Sequence, residues 1–259
     1  MELQAPPHWQ CVDFISDLHL QSADRPTFAA WVDYMQSTRA DALFILGDLF
    51  EVWVGDDALL PDSFEAECVA VLRDTANRLP LFIMQGNRDF LIGPHLIEAC
   101  NAKALPDPSV LCLGNSRLLL SHGDALCVDD LEYQAFRGQV RSAAWQTDFL
   151  AKPLTERLAI ARGIRQASES KKQSQVNYAD VDSHAAIALM QRLKCVHLLH
   201  GHTHKPGQHQ LDSNHMRTVL SDWDVRARIP RAEVLRMTFT DNALHMERIA
   251  ATLIASPAG

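Results

Sequence analysis

Seven residues of types that bind metal ions stand directly after apolar runs of the sequence. The patterns are DLH, GD, GN, SH and GHTH, and each follows a run such as FIS, LFIL or LLL. The residues are Asp17, His19, Asp48, Asn87, His122, His202 and His204. Carboxylate, amide and imidazole groups together suit Mn²⁺, Fe or Zn better than Ca²⁺, which prefers oxygen ligands alone. The sequence therefore predicts a site for divalent transition-metal ions.

The division of these residues among the runs predicts two ions that share one ligand. Asp48 is the sole ligand type after the second strand, so we expect its carboxylate to bridge the ions. The remaining ligands divide into Asp17, His19 and His204 for one ion and Asn87, His122 and His202 for the other. Two divalent ions about 3.5–4 Å apart acidify a water molecule and hold the oxygens of a phosphoryl group. The histidines bind metal only when neutral, so activity should fall in acid.

The elements that carry these residues alternate between strand and helix patterns. Residues 11–16, 42–46 and 81–84 are predicted strands, and 25–39 is a predicted helix. A second helix is predicted to begin at Asp62 and Ser63, with Glu65 and Asp62 forming a capping box. This order predicts parallel strands joined by helical crossovers. The carboxyl ends of parallel strands are where α/β sheets bind ligands. A short helix to Cys100 and two strands within 110–121 follow.

The composition then changes between about Cys127 and Asp182, where no strand pattern occurs. Between Arg137 and Lys172 there are eight basic and three acidic residues, a local charge of +5 in a chain of −8. Apolar residues recur at helical spacing at Phe136, Val140, Trp145, Phe149, Leu154 and Leu158. We predict a helical cap over 127–182, inserted in a single domain of 1–259. The apolar stripe could bind acyl chains, or it could simply pack on the core.

The rest of the chain returns to core patterns, and the composition excludes several classes of protein. A helix over 183–194, a strand at CVHLL and antiparallel hairpins in the tail are predicted. The net charge of −8 argues against nucleic-acid binding. The six cysteines are scattered and are expected to be free thiols. The first ten residues lack the features of a signal peptide, so we expect a cytoplasmic protein.

Each motif alone is common in turns and cores, but the order DxH, GD, GN, H and GHxH is specific. It resembles the calcineurin-like metallophosphoesterase superfamily. The longer stretches SDLHL, GDLFEVWVGDD, GNRDFLIG, SHGD and HGHTHKP are similar to the UDP-2,3-diacylglucosamine pyrophosphatase family of lipid A biosynthesis. The likeness continues through DDLEYQAFR and LSDW and so covers most of the chain. It implies an α/β fold, a four-layered α/β/β/α sandwich with a helical cap.

The resemblance also implies a reaction and a location. The family hydrolyses UDP-2,3-diacylglucosamine to 2,3-diacylglucosamine 1-phosphate and UMP, and we expect water to attack the α phosphorus. It uses two divalent ions, for which we expect Mn²⁺. It works as a peripheral protein at the cytoplasmic face of the inner membrane. The expected partners are thus the lipid-linked UDP-sugar and the membrane surface, with neither nucleic acid nor an obligate protein partner.

Site residues follow from the resemblance position by position. The seven ligands above match the family's metal ligands. The implied catalytic residues are Asp17, His19, Asp48, Asn87, Arg88 and His122. The implied substrate contacts are Asn87, Arg88, Asp130, Tyr133, Ser168, Lys172, Gln175 and His202. Ser168 matches the family's serine, whereas Lys172 and Gln175 stand near positions where relatives have Asn and Lys.

Arg88 indicates the type of bond that is cleaved. A diphosphate releases a phosphate monoester whose second pKa is about 6, so its departure needs little help from an acid. It needs neutralisation of charge on two phosphoryl groups, which a guanidinium supplies with two parallel hydrogen bonds. The alternative is that Arg88 forms a structural ion pair with Asp89 or Glu51.

Two other functions compete with this hypothesis. The first is a different dinuclear metallophosphoesterase, such as a nucleotide pyrophosphatase or a cyclic nucleotide phosphodiesterase. Soluble substrates of that kind require no amphipathic cap, so the insertion favours a lipid substrate. The second is an inactive scaffold that uses the fold for protein contacts. Such a protein should have lost ligands, whereas all seven are present.

Overall fold

The computed structural model describes residues 1–174, 180–240 and 243–251, with the backbone alone for 166–174, 240 and 243. In chain order its strands are β1 (Glu2–Gln4), β2 (Cys11–Ile15), β3 (Ala42–Leu46), β4 (Leu81–Met84), β5 (Lys103–Ala104), β6 (Ser109–Leu113), β7 (Ser116–Leu120), β8 (His197–His200), β9 (Gly207–Gln210), β10 (Met216–Val219), β11 (Glu233–Thr240) and β12 (Ala243–Ala250). Its α-helices are α1 (Arg25–Ser37), α2 (Phe64–Ala76), α3 (Pro94–Ala99), α4 (Leu131–Val140), α5 (Ala143–Leu150), α6 (Leu154–Ser174) and α7 (Ser183–Leu193).

The strands form two six-stranded sheets. The first has the order β12-β11-β2-β3-β4-β5, and β2, β3, β4 and β5 run parallel through the crossovers of α1, α2 and α3. The second has the order β1-β6-β7-β8-β10-β9, and β7, β8 and β10 are parallel. The predicted tail hairpins are confirmed as the antiparallel pairs β9–β10 and β11–β12. The short strands β1 and β5 were not predicted.

The sheets pack face to face, and side-chain alternation divides the core into layers. Phe44 of β3 points to the second sheet, where it belongs to one apolar cluster with Leu118 and Leu199. Its neighbour Ile45 points the other way, towards the layer of α1, α2 and α3. On the far side, Met190 of α7 packs on the second sheet. Because successive residues of a strand face opposite sides, this order gives the four-layered α/β/β/α sandwich that was expected.

Helix α2 begins one residue later than the predicted capping box. Ser63 is the N-cap, and its hydroxyl accepts a hydrogen bond from the Ala66 amide at 3.1 Å. Asp62 instead has a positive φ of 60°, which belongs to the preceding turn. The capping-box assignment of Asp62 was therefore wrong, because Ser63 satisfies the same need one position further along.

Helices α4, α5 and α6 fall within 127–182, which we call the cap segment. Arg141, the C-cap residue of α4, donates to the Gly86 carbonyl at 2.8 Å, and Arg157 of α6 donates to the Val54 carbonyl. Trp145 of α5 has its ring 6.1 Å from that of Phe90. The cap segment thus packs on the loops that follow β3 and β4. No helix in the described part of the chain is long and apolar enough to span a membrane.

Candidate metal centre

The structure brings the seven predicted ligands together at the carboxyl ends of strands from both sheets. Asp17 and His19 follow β2, Asp48 follows β3 and Asn87 follows β4. The second sheet contributes His122 after β7 and His202 and His204 after β8. Ligand atoms of Asp17, His19 and His204 lie within 4.8 Å of one another, as do those of Asp17, Asp48 and His122. The two overlapping groups fit a pair of ions, but the carboxylate common to both is that of Asp17, whereas the sequence predicted Asp48 as the shared ligand.

Asp48 lies between ligands of the two predicted groups. Its Oδ2 atom lies 3.9 Å from the Nε2 atom of His19, and its Oδ1 atom lies 3.7 Å from the Nε2 atom of His122. The two oxygens therefore face ligands of different groups. The Asp48 Oδ1 atom also accepts a hydrogen bond from the Arg88 amide at 2.8 Å, which fixes the carboxylate.

The tautomer of His122 leaves a nitrogen directed at the centre. Its Nδ1 atom lies 3.0 Å from the Leu46 carbonyl oxygen, which can only accept a hydrogen bond, so Nδ1 carries a proton. The Nε2 atom is 2.9 Å from the Asn87 Oδ1 atom, and that oxygen is 2.8 Å from the His202 Nδ1 atom. Nitrogen and oxygen atoms that converge in this way offer lone pairs to a cation. The donor set thus fits a divalent ion.

The charges of the chain itself also favour a cation. Burial lowers the pKa of His122, but the carboxylates of Asp48, Asp124 and Asp17 outweigh burial and raise that pKa to about 9. Burial and the neighbouring His122 lower the pKa of His202 to about 3. The centre therefore holds an excess of negative charge around His122, which a bound cation can neutralise in place of a proton.

Backbone strain and close approach position the ligands. Five of them have positive φ, an uncommon conformation for residues other than glycine: Asp17, His19, Asp48, His202 and His204. Gly86 and Gly201 pass so close to the carboxylates that an added Cβ would lie 2.1 Å from Asp48 and 2.3 Å from Asp17. Side chains at these two glycines would therefore displace the ligands.

Other acidic residues support the loops without being ligands. Asp89 accepts hydrogen bonds from the amides of Gly86 at 2.7 Å and Leu49 at 2.8 Å, joining the GNRD and GDLF loops. Burial and the nearby Asp48 raise the pKa of Asp89 to about 6. The carboxylate of Asp222, in the LSDW stretch, lies 3.6 Å from the Nδ1 atom of His204 and accepts two hydrogen bonds from Arg231. The sequence motifs contain these residues but did not predict this role for them.

The predicted substrate residues have different outcomes. Arg88 forms an ion pair with Glu51 at 3.2 Å, as the alternative for Arg88 required, and it also lines the cavity described below. Asp130 caps α4 by accepting from the Tyr133 amide at 3.0 Å, and the Tyr133 ring stacks on His202 with centroids 6.0 Å apart. The side chains of Ser168 and Lys172, and the whole of Gln175, lie outside the described residues.

Asp124 joins the cap segment to the centre. Its buried carboxylate accepts from the Tyr133 hydroxyl at 2.5 Å and from the Arg137 Nε atom at 2.8 Å. Burial raises the pKa of Asp124, but His122 and Arg137 outweigh burial and hold that pKa well below its usual range. A charged group is therefore buried between α4 and the metal centre with its partners in place.

Replacing Asp124 by asparagine should lower the free energy of unfolding by about 2–3 kcal/mol, since buried hydrogen bonds to charged groups contribute about that much. Urea denaturation of the variant measures it. Asp129→Asn, at an exposed position in the same stretch, is the control and should stay within about 0.5 kcal/mol of the parent. A variant as stable as this control would show that Asp124 does not anchor α4.

A cavity of about 1070 Å³ begins at the metal centre and extends beneath the cap segment. Its polar end includes His19, Asp48, Asn87, Arg88 and His202. Its other end is lined by the apolar side chains of Leu131, Phe136, Trp145, Phe149 and Ile164. The cavity thus has a cation-binding end and an apolar end.

The residues of the predicted apolar stripe of the cap segment divide into buried ones and ones that line the cavity. Val140 and Phe149 are buried, Phe149 being 5% exposed, and Leu154 and Leu158 pack against the core. Phe136 and Trp145 remain partly accessible at the cavity wall, where Trp145 stacks on Phe149 with centroids 4.6 Å apart. The packing alternative therefore holds for part of the stripe, while the rest faces the cavity.

Most of the chain is similar to a known protein family and to named relatives. Residues 12–206 match the family model described as calcineurin-like phosphoesterase. The UDP-2,3-diacylglucosamine hydrolase of Chromobacterium violaceum is 45% identical over 222 residues, or 82% of this chain and 90% of that protein. The protein of the same name from Bordetella pertussis is 40% identical over 81% of this chain and 84% of its own length. Among solved structures, YfcE, a phosphoesterase from E. coli, covers 93% of this chain with a TM-score of 0.47 and 15% identity, and 99% of its own chain is matched.

Proposed function

Because this chain belongs to the calcineurin-like phosphoesterase family, we propose that its centre hydrolyses the diphosphate of UDP-2,3-diacylglucosamine, the substrate in the names of its relatives. The products are UMP and 2,3-diacylglucosamine 1-phosphate. The observation that carries the proposal is the cavity, which joins a metal-binding end to an apolar end. A diphosphate fits the first end and acyl chains fit the second. A soluble nucleotide, the alternative substrate, would leave the apolar end without a partner.

In this proposal the seven ligands hold two divalent ions, for which we favour Mn²⁺. When bound, the ions supply the positive charge that activates water and stabilises the phosphoryl oxygens. Asp48 faces both groups of ligands, and Asn87 sits between His122 and His202, so these two side chains set the spacing of the site. Arg88 binds the diphosphate and neutralises charge on the leaving phosphate.

The chain determines which bond breaks by holding the substrate at both ends. The acyl chains lie in the apolar end, and the nucleotide phosphate lies over the ligands. Water adds its oxygen to the phosphorus next to uridine, the bond from that phosphorus to the bridging oxygen breaks, and the bridging oxygen leaves on the lipid phosphate. The two protons of water pass to the products or to solvent.

Hydrolysis in ¹⁸O-labelled water should therefore place one labelled oxygen in UMP and none in the lipid phosphate. Mass spectrometry of the two products after a single turnover measures the label, and incubation of both unlabelled products with enzyme in labelled water controls for exchange. Label in the lipid product would reverse the proposed polarity.

The substrate assignment is tested by comparing UDP-2,3-diacylglucosamine with UDP-N-acetylglucosamine, which lacks the long acyl chains, in the presence of Mn²⁺. We expect a kcat/KM at least about 10²-fold higher for the acylated substrate, because burying several methylene groups contributes about 0.8 kcal/mol each. Release of UMP measures both reactions. Equal rates, or faster cleavage of the unacylated compound, would favour the nucleotide alternative.

Replacing Trp145 by serine should raise KM for the diacyl substrate by about 10-fold or more, since a lost apolar contact costs about 1–3 kcal/mol. Trp145 lines the cavity and is only partly buried, so a short-chain analogue should be affected little and the melting temperature should fall less than in the contrasting variant. Phe149→Ser is the contrasting variant. Phe149 also lines the cavity, but it is a buried member of the core cluster, so its loss should lower the melting temperature by several degrees and impair both substrates. If Trp145→Ser behaves like Phe149→Ser, acyl binding by Trp145 is rejected.

We further propose that the protein works at the cytoplasmic face of the inner membrane as a peripheral protein. Apolar side chains remain exposed around the cap segment, with Leu131 76% exposed, and Leu150 and Ile164 also accessible. Basic residues of the same segment can meet anionic headgroups. Vesicle sedimentation tests this: the protein should bind vesicles containing anionic lipid, and Leu131→Ser should bind less. Equal recovery with and without vesicles would reject it.

A further inference from the structure

Glu51 contacts three functional side chains at once. It lies in the loop after β3 and is 7% exposed. Its Oε2 atom is 3.1 Å from the Nδ1 atom of His19. Its Oε1 atom is 3.2 Å from an Nη1 atom of Arg88 and 2.8 Å from that of Arg165. Sequence reasoning considered Glu51 only as an ion-pair partner for Arg88.

The three partners belong to three separate parts of the molecule. His19 follows β2, Arg88 follows β4, and Arg165 is on α6 of the cap segment. Two guanidinium groups this close to one oxygen repel each other unless a negative charge lies between them. The buried carboxylate therefore makes it possible for both arginines to line the same cavity.

Glu51 also determines which nitrogen of His19 faces the metal centre. A carboxylate beside Nδ1 favours a proton on that atom and leaves Nε2 as the ligand nitrogen. The Nε2 atom of His19 is 3.2 Å from the His204 Nε2 atom and 3.9 Å from Asp48. These positions match the ligand group predicted for one ion. The contact with Glu51 thus supports the ligand from the side opposite to the metal.

We propose that Glu51 is a positioning residue that couples docking of α6 to the metal centre. It orients His19 and holds Arg88 and Arg165 side by side for the diphosphate. The part that concerns the diphosphate rests on the proposed function, whereas the part that concerns His19 does not. Because one carboxylate serves all three contacts, movement of α6 through Arg165 changes the environment of the ligand and of Arg88 together.

The competing account is that Glu51 only fastens the cap segment to the core. The chain offers a matched control for that role in Asp57. Asp57 lies on the same loop region and forms an ion pair with Arg157, which is on the same helix α6. It is not among the residues that line the cavity. Asp57→Asn therefore removes a cap contact without touching the metal centre.

The test compares Glu51→Gln with Asp57→Asn in the full chain. Titration with Mn²⁺, followed by the electron paramagnetic resonance of the free ion, gives the affinity of each protein. We expect Glu51→Gln to bind one Mn²⁺ at least about 10-fold more weakly and to lose about 10-fold or more in kcat, the range found when a supporting partner of a ligand is removed. Asp57→Asn should keep the parent Mn²⁺ affinity. If Glu51→Gln does not fold, Glu51→Asp, which keeps the charge but is one methylene shorter, should show a several-fold loss in the same titration.

Arg165→Leu completes the test of coupling. It should raise KM for the diacyl substrate, and its effect on kcat/KM should be much smaller when Glu51→Gln is already present, because the two changes remove one shared interaction. The proposal is overturned if Glu51→Gln binds both Mn²⁺ ions as tightly as the parent. It is also overturned if the loss of kcat/KM in the double variant equals the product of the losses in Glu51→Gln and Arg165→Leu. A parent protein that fails to cleave the diacyl substrate while Glu51→Gln still weakens Mn²⁺ binding would refute the substrate assignment alone.

Discussion

Replacing Asp48 by asparagine should remove bound metal and lower kcat by about 10³-fold or more. Its two oxygens face His122 and His19, so an amide would withdraw a charged ligand from both groups at once. About 4 kcal/mol of lost transition-state stabilisation corresponds to that factor. Elemental analysis of the purified variant gives the metal content per chain, and release of UMP gives the rate.

His122→Ala is the comparison for Asp48. His122 belongs to one group only, so its loss should reduce the content from two ions to about one. Asp57→Asn, outside the centre, should retain both ions and serves as the control for purification. Two ions per chain in Asp48→Ala would overturn the bridging assignment, even if activity were lost.

Replacing Arg88 by alanine should lower kcat by about 10²-fold or more while metal content stays at the parent value. A guanidinium that neutralises charge developing in the transition state acts on kcat rather than on substrate binding alone. Arg88 reaches the cavity and pairs with Glu51, so the side chain is held but not enclosed. The measurement combines steady-state kinetics with metal analysis of the same sample.

Arg88→Lys separates charge from geometry. A lysine keeps the positive charge but cannot form two parallel hydrogen bonds with a phosphate, so its rate should fall between those of alanine and the parent. If Arg88 served only the ion pair with Glu51, both variants should show a lower melting temperature and nearly unchanged kcat. That result would assign Arg88 a structural role.

The sequence was sufficient to predict the strands that carry the ligands, because a buried parallel strand is a short apolar run that ends at a polar residue. β3, ALFIL, and β4, LFIM, are of this kind. It did not predict β5, which has two residues, or β1, which has three. Such short edge strands form because a neighbouring strand offers hydrogen bonds, and that information is not local.

The ligands could be predicted for a related reason, and their supports could not. His122 and Asp48 each stand directly after a predicted strand, so the strand pattern itself indicates their positions. Glu51, Asp124 and Asp222 act through contacts with residues distant in the chain, and no periodicity brings Glu51 to Arg165. One signal was available for two of them: Glu51 and Asp124 stand within a few residues of a ligand, in GDLFE and SHGD, whereas Asp222 lies in LSDW, which holds no predicted ligand. An acidic residue close in sequence to a metal ligand can therefore be predicted to orient that ligand or a residue beside it.

The ligands of each predicted ion come from the carboxyl ends of strands in both sheets, and this constrains the order in which the protein folds and binds metal. His19 and His204 are 185 positions apart in the chain, so only a chain with both sheets assembled can offer them together. In a small zinc finger, nearby ligands let metal binding drive folding. Here the sandwich must form before the ligands come together, and bound ions would then cross-link its two halves. Free metal at 100 times its dissociation constant would increase the free energy needed to separate the sheets by about 2.7 kcal/mol. We therefore expect metal loading to follow assembly of the two sheets, and a chelator to loosen the contact between the sheets before it unfolds either one.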